Sequence, residues 1–170
     1  MKNKRVKVFD GRLLQVFRST KILPNGIQGV FEEIDHPGAA LLVPFLDERI
    51  VFIRQYRAVI GKYIWELPAG TLAKGETPYA CARREIKEET GFIVRGVRKI
   101  GEVYTTPGFC NEKIHIFRAD CVKEEGSARD HDEIIKVSLL SRADVLSKFK
   151  KGLINDSKTI SALAFAGLLK

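Results

Sequence analysis

The stretch that decides the fold of this chain is GTLAKGETPYACARREIKEETGF, residues 70–92, which is rich in charged residues. Thr77 is a favourable N-cap, and Pro78 suits the first position of a helix. Good helix formers follow, and Gly91 provides a C-terminal stop. The sequence therefore predicts a helix over residues 78–90.

That helix carries an unusual acidic face. Glu85, Glu88 and Glu89 lie at i, i+3 and i+4, so their carboxylates share one side. Like charges at this spacing repel by about 0.2–0.5 kcal/mol per pair, and Arg84, four residues before Glu88, relieves part of this. The face is either a solvated surface laced with ion pairs or a site for a hard cation such as Mg²⁺. Helix geometry alone favours the solvated surface.

Composition limits the class of protein. The 170 residues, 45% hydrophobic and 29% charged, are typical of one globular domain rather than a disordered chain. The net charge of +8 favours polyanionic partners, either nucleic acid or small phosphorylated molecules, unless it is only a solvated basic surface. Because no dense run of Lys and Arg is interleaved with aromatic residues, a nucleic-acid partner is disfavoured.

No segment predicts membrane insertion or export. The longest apolar run, GAALLVPFL at 38–46, is too short to span a bilayer, and the basic N-terminus lacks the apolar core of a signal peptide. The three cysteines show no metal-ligand spacing and fit reduced thiols in a cytoplasm. They are Cys81, Cys110 and Cys121.

The order of elements predicts a mixed α+β domain. Residues 1–36 form short strands with a turn at 24–26. Ser141 and Ser157 are candidate N-caps of two closing helices. Further strands are expected at 39–46, 49–56, 94–104, 113–122 and 134–140, and the closing helices at 142–150 and 158–169.

The wider spacing around the helix identifies a family. Reading from Gly70 to Phe92, the chain matches G-x5-E-x7-R-E-U-x-E-E-x-G-U without exception, where U is a bulky apolar residue. Ordinary residue usage makes this match a chance on the order of one in a billion per starting position. The pattern resembles the signature of the Nudix hydrolases, which overturns the solvated-surface interpretation.

Segments outside this box resemble one subgroup, the ADP-ribose pyrophosphatases. In that subgroup a proline about fifteen residues beyond the box marks ADP-ribose hydrolases, and Pro107 occupies that position unless it is an ordinary turn residue. The matching segments are RQYR (54–57), WELPAG (65–70), TPGF (106–109) and DEII (132–135).

The resemblance implies a fold and an assembly. The fold expected is an α/β/α sandwich around a mixed β-sheet over 37–170, preceded by N-terminal antiparallel strands over 1–36. In the subgroup such strands pair two subunits and complete the adenine site, so a homodimer is expected. No aromatic residue in this part of the chain evidently matches the one that contacts adenine.

The resemblance also assigns a metal site. Glu85, Glu89 and the Ala69 carbonyl are expected to ligate Mg²⁺, with Mn²⁺ as a substitute. Glu88 would assist either as a further ligand or in catalysis, and Arg84 would orient the glutamates. By the same resemblance, Glu76 closes the loop onto the helix.

A general base is expected on the late loop 124–135. Glu133 matches the base of the subgroup, but His131 makes this loop less acidic than in related enzymes. Asp132 or a glutamate of the box therefore stays open as the base.

The substrate-binding residues expected by resemblance are Arg57, Arg54, Glu112 and Pro107. Arg57 would contact the diphosphate, and Arg54 either assists or pairs on the surface. Glu112 would lie near the terminal ribose. Tyr104, Phe109 and Trp65 either wall the pocket or belong to the core.

The function implied is Mg²⁺-dependent hydrolysis of the diphosphate bond of ADP-ribose, giving AMP and ribose 5-phosphate. Two alternatives remain: hydrolysis of another nucleoside diphosphate sugar such as GDP-mannose, or a non-catalytic Nudix domain that senses nucleotides or binds RNA. The intact box argues against the non-catalytic alternative.

Overall fold

The computed structural model describes residues 4–11, 14–124 and 135–170. They form ten strands, three α-helices and a 3-10 turn at Ala58–Ile60. The strands are β1 (Lys4–Asp10), β2 (Gln15–Ile22), β3 (Gln28–Asp35), β4 (Ala39–Leu46), β5 (Arg49–Arg57), β6 (Lys62–Glu66), β7 (Ala69–Thr71), β8 (Phe92–Tyr104), β9 (Lys113–Glu124) and β10 (Ile135–Leu140). The helices are α1 (Pro78–Thr90), α2 (Arg142–Lys150) and α3 (Ser157–Phe165).

The strands form two sheets. The N-terminal sheet is antiparallel with order β1-β2-β3. The second has seven strands in the order β10-β5-β4-β9-β8, with β6 beside β5 and β7 beside β4. It is mixed because β4 and β9 run parallel and the other pairs run antiparallel.

Helices cover both faces of the mixed sheet. In β4 the buried residues alternate between faces: Leu41 packs with Phe52 and Leu163, while Leu42 packs with Ile86 of α1. A strand buried on both faces reads as an unbroken apolar run, as β4 does. The predicted α/β/α sandwich around a mixed sheet is confirmed.

Local signals predicted the bounds of α1 and α2 but not those of α3. In α1 the Thr77 hydroxyl accepts a hydrogen bond from the Ala80 amide at 3.2 Å, and Gly91 ends the helix at φ 80°. Ser141 caps α2 as predicted. The prediction for α3 was wrong at both ends: Asp156 is its N-cap, Ser157 is its first residue, and the helix ends at Phe165 rather than at residue 169.

The segment around WELPAG contains two strands that the sequence did not predict. β6 and β7 are only five and three residues long, too short for a period to show. β6 forms a hairpin with the preceding β5, and β7 pairs with β4, from which it is separated by β5 and β6.

The N-terminal sheet is joined to the loop after β8. The Ile34 amide donates to the Phe109 carbonyl at 2.7 Å, and the Asn111 amide donates back to Ile34 at 3.3 Å. The Asn111 side chain also accepts from the His36 amide at 2.7 Å. Among the described residues, no helix is long and apolar enough to cross a membrane.

Candidate active site

The loop before α1 lies against the helix because Gly70 has no side chain. A Cβ added to Gly70 would lie 1.8 Å from Oε1 of Glu85, so any other residue would displace this carboxylate. Glycine permits exactly such a close approach of backbone to a functional group. The first residue of the family box therefore has a steric role.

Arg84 connects the glutamates of the box. Its guanidinium donates to Glu76 at 2.9 and 3.0 Å, to Glu85 at 2.6 Å and to Glu88 at 2.8 Å. The hydrogen bonds from Arg84, together with one from the Ala73 amide, lower the pKa of Glu76 from its usual 4.5 to about 2. The hydrogen bonds that Arg84 donates, led by those to Glu76, raise the pKa of Arg84. One cation thus offsets much of the repulsion among the neighbouring carboxylates.

Glu89 lies beneath this cluster. It is only 3% exposed, and its carboxylate accepts a hydrogen bond from the Ala69 amide at 3.1 Å. A buried carboxylate needs such partners to offset its desolvation. Glu89 and the Ala69 backbone, both expected in the metal site, are therefore adjacent.

A cavity of about 600 Å³ lies beside Arg84, Glu85 and Glu88, whereas Glu89 is not among its lining residues. Glu85 and Glu88 of α1 line one side, and Ala69 and Gly70 of β7 contribute to the lining. This size is within the range of ligand sites for small molecules.

Besides Arg84 of α1, the cavity has two basic lining groups, Arg57 and Lys158. Both bind the carboxylate of Glu66: Arg57 donates from Nε at 2.7 Å and from Nη2 at 2.6 Å, and Lys158 donates from Nζ. Hydrogen bonding to Glu66 raises the pKa of Arg57. The cavity thus brings both charges together: Glu85, Glu88 and Arg84 come from α1, Arg57 from β5, and Asp156 and Lys158 from the start of α3.

The chemistry of the donor groups fits a hard divalent cation. Mg²⁺ takes oxygen ligands and is bound through one or two carboxylates plus substrate phosphates. Glu85 lies against Gly70, and Glu89 accepts a hydrogen bond from the Ala69 amide, so both carboxylates lie beside β7. Within the described part of the chain, no group of three or more His, Cys, Asp or Glu side chains is arranged to hold a metal ion.

The other predicted substrate residues fall at different distances from the cavity. Glu112 lines it and accepts a hydrogen bond from the Thr105 hydroxyl at 2.8 Å. Arg54 does not line it: its guanidinium lies over the rings of Tyr63 and Trp65, 5.6 and 5.9 Å from their centroids. The reason is strand alternation, since successive side chains of β5 point to opposite faces.

Pro107 and Phe109 line a separate hollow of about 630 Å³ between the N-terminal sheet and the loop after β8. Trp65 packs against the core beside Phe52, and Tyr104 is exposed. Glu133, Asp132 and His131 lie outside the described residues.

Sequence reasoning missed Lys158 and Asp156. Both line the cavity, and the Lys158 ammonium lies 3.0 Å from Asp156. No local sequence pattern indicates that they belong to the site. Lys158 reaches it through a contact with Glu66, which is 92 positions away in the sequence. A lysine in the first turn of a predicted helix reads as an ordinary solvated residue.

Comparison with known proteins extends these observations. The family model described as "NUDIX domain" matches residues 35–163. An ADP-ribose pyrophosphatase of Bacillus subtilis is 35% identical over 165 residues, covering 95% of this chain and 89% of that protein. A methanol dehydrogenase activator of Bacillus methanolicus is 36% identical over 168 residues, covering 97% and 91%. A crystal structure titled ADP compounds hydrolase superimposes with a TM-score of 0.84 at 24% identity, covering 96% of this chain and 90% of that one, which shows the fold.

Proposed function

The chain belongs to the Nudix family, and on this premise we propose that it hydrolyses the diphosphate bond of ADP-ribose to give AMP and ribose 5-phosphate. The observation that carries the proposal is this cavity, where the carboxylates of the box and the cations Arg57 and Lys158 line one space. Hydrolysis of a diphosphate needs both a site for a metal ion and positively charged side chains that bind the phosphate oxygens. The likeness to an ADP-ribose pyrophosphatase over nearly the whole chain supports the choice of substrate.

Glu85, Glu89 and the Ala69 carbonyl would hold Mg²⁺, or Mn²⁺ in its place. A divalent cation bound there would neutralise charge on the diphosphate oxygens. Arg84 keeps Glu85 and Glu88 in place through its hydrogen bonds.

The remaining roles follow from position and chemistry. Arg57 binds a phosphate, for which its planar guanidinium is suited. Glu112 lies toward the terminal ribose. A base must orient or deprotonate the attacking water. We assign this role to Glu133, with Glu88 as the alternative within the cavity.

We also propose that the protein is a cytoplasmic homodimer, with residues 1–36 as the dimerisation region and 37–170 as the hydrolase domain. Free Cys81, Cys110 and Cys121 are compatible with a reducing compartment. Exposed apolar side chains on the N-terminal sheet support pairing with a second copy.

A product assay tests the proposed reaction. The protein is incubated with ADP-ribose or with GDP-mannose, each with Mg²⁺ and separately with EDTA, and nucleotides are separated by chromatography. We expect AMP from ADP-ribose with Mg²⁺ only. Faster release of GMP from GDP-mannose would transfer the proposal to the alternative substrate, and no release from either would contradict it.

A further inference from the structure

Glu66 at the end of β6 is a buried carboxylate shared by two cations. Its side chain is 1% exposed, and it accepts two hydrogen bonds from Arg57 and one from Lys158. Burial acts to raise the pKa of Glu66, but hydrogen bonds from Arg57 and the charge of Lys158 outweigh it, so the pKa lies below its usual value. Glu66 therefore remains an anion between the two cations.

The two cations come from distant parts of the chain but reach the same cavity. Arg57 ends β5, and Lys158 is the second residue of α3. The start of α3 is fixed to the segment after β6, because the Leu67 amide donates to the Thr159 hydroxyl at 3.0 Å in a buried position. The helix cannot shift without breaking this bond.

Each cation retains hydrogen-bond donors. An arginine has five N–H donors and a lysine has three. Arg57 uses two of its N–H donors for hydrogen bonds to Glu66. The Lys158 ammonium donates to Glu66 and lies 3.0 Å from the Asp156 carboxylate. The donors left over belong to side chains that line the cavity. They suit the oxygens of a diphosphate, which accept strong charge-assisted hydrogen bonds.

We propose that Glu66 is a positioning residue for the diphosphate: it holds Arg57 and Lys158 so that both donate to the same substrate, and it thereby makes α3 part of the substrate site. This inference rests on the proposed function for the identity of the diphosphate. Glu66 itself is not among the residues that line the cavity, so it acts through the two cations.

The proposal is tested by titrating inorganic pyrophosphate into the protein in a calorimeter, with EDTA present. This measures binding and does not require enzymatic activity. The variants are Glu66→Gln, Lys158→Met and the double variant. We expect each single change to weaken pyrophosphate binding by about tenfold. Because Glu66 acts partly through Lys158 and partly through Arg57, the double variant should lose less binding free energy than the two single variants added together. Glu102→Gln, which removes an exposed carboxylate paired with Lys99 and Lys113, is the control and should bind as the wild type does.

The opposite result is well defined. If Glu66 only competes with the anion for the two cations, Glu66→Gln will tighten pyrophosphate binding, which overturns the proposal. Should Glu66→Gln fail to fold by its thermal melt, Lys158→Met decides alone, and unchanged pyrophosphate binding refutes the proposal. Steady-state kinetics with ADP-ribose should show a raised KM with kcat changed less.

Failure of the proposed function gives a different signature. If ADP-ribose is not cleaved but pyrophosphate binding depends on Glu66 and Lys158, the substrate is another diphosphate and the positioning role stands. If ADP-ribose is cleaved but both variants bind pyrophosphate normally, only the positioning role fails.

Discussion

At the scale of single residues, Glu89 gives the sharpest test of the metal site. Glu89→Gln keeps the size and the ability to accept from the Ala69 amide but removes a charge from a buried position. We expect turnover of ADP-ribose to fall by orders of magnitude. Thermal stability without metal should stay level or rise slightly, since repulsion within the acidic face decreases.

The measurement is steady-state hydrolysis together with a thermal melt in EDTA. Glu102→Gln on β8 serves as the matched control. Hydrolysis by Glu89→Gln at near wild-type rates would refute the assignment of Glu89 as a ligand.

Arg57→Ala removes a charge-assisted contact to phosphate. Hydrogen bonds to charged groups contribute about 1.5–3 kcal/mol, so kcat/KM should fall by roughly ten- to a hundredfold, mainly through KM. Arg95→Ala on β8, an exposed arginine that does not line the cavity, controls for loss of surface charge. Unchanged kinetics for Arg57→Ala would place it outside the substrate site.

Glu76 links stability to pH. Its pKa in the folded state is about 2, against an ordinary 4.5, so its stabilising effect is complete above pH 4.5 and is lost as the pH falls toward 2. We expect Glu76→Gln to lower the free energy of unfolding at pH 7. Below pH 5 the difference from wild type should shrink.

Urea unfolding at pH 7, 5 and 3 measures this difference, with Glu48→Gln in the β4–β5 turn as the control. A constant difference across the pH range would show that Glu76 does not provide this stabilisation.

At the scale of elements, the join between β7 and α1 depends on Gly70. Gly70→Ala would bring a Cβ into the space of the Glu85 carboxylate, so this carboxylate must move away from the loop. We expect activity to fall by at least tenfold, because a displacement of about 1 Å can cost a hundredfold in rate. The measurement is kcat at saturating Mg²⁺, with circular dichroism to confirm that the fold is retained. Wild-type kcat would contradict the steric role.

Elements were predictable from sequence where their determinants are local. The bounds of α1 followed from Thr77, Pro78 and Gly91, all within or beside the helix. The N-cap of α3 was misassigned because adjacent Asp156 and Ser157 are both good capping residues; in the structure Asp156 reaches the Thr159 amide at 3.0 Å.

The candidate site divides in the same way. The glutamates of the box are close in sequence, so their spacing alone indicates a shared helix face. Arg57 and Lys158 are far apart in sequence, and the carboxylate of Glu66 joins Arg57 on one hairpin to Lys158 on the last helix. A contact across 92 positions leaves no periodic trace, and the sequence could propose Arg57 only through its resemblance to a known family.

At the scale of the whole molecule, the N-terminal sheet leaves apolar side chains in solvent. Val6 is 47% exposed, Phe9 57% and Val30 64%. Small sheets need a surface to bury such residues. We expect a homodimer of about twice 19.1 kDa by light scattering. Deleting residues 1–36 should abolish both the dimer and the activity.

A milder variant guards against misfolding. Val30→Glu places a charge on the N-terminal sheet and should shift the dimer toward monomer, whereas Val59→Glu, at a fully exposed position in the 3-10 turn, should not. A wild-type mass of 19.1 kDa at micromolar concentration would contradict the dimer.

The central claim is that the protein hydrolyses the diphosphate bond of ADP-ribose in the cavity beside α1. Phosphorus NMR of one sample containing protein, ADP-ribose and Mg²⁺ tests it most directly, because diphosphate and phosphomonoester signals are well separated. We predict that the diphosphate signals disappear while two phosphomonoester signals, from AMP and ribose 5-phosphate, rise in equal amounts. Persistent diphosphate signals, in a sample whose protein is folded, would contradict the account.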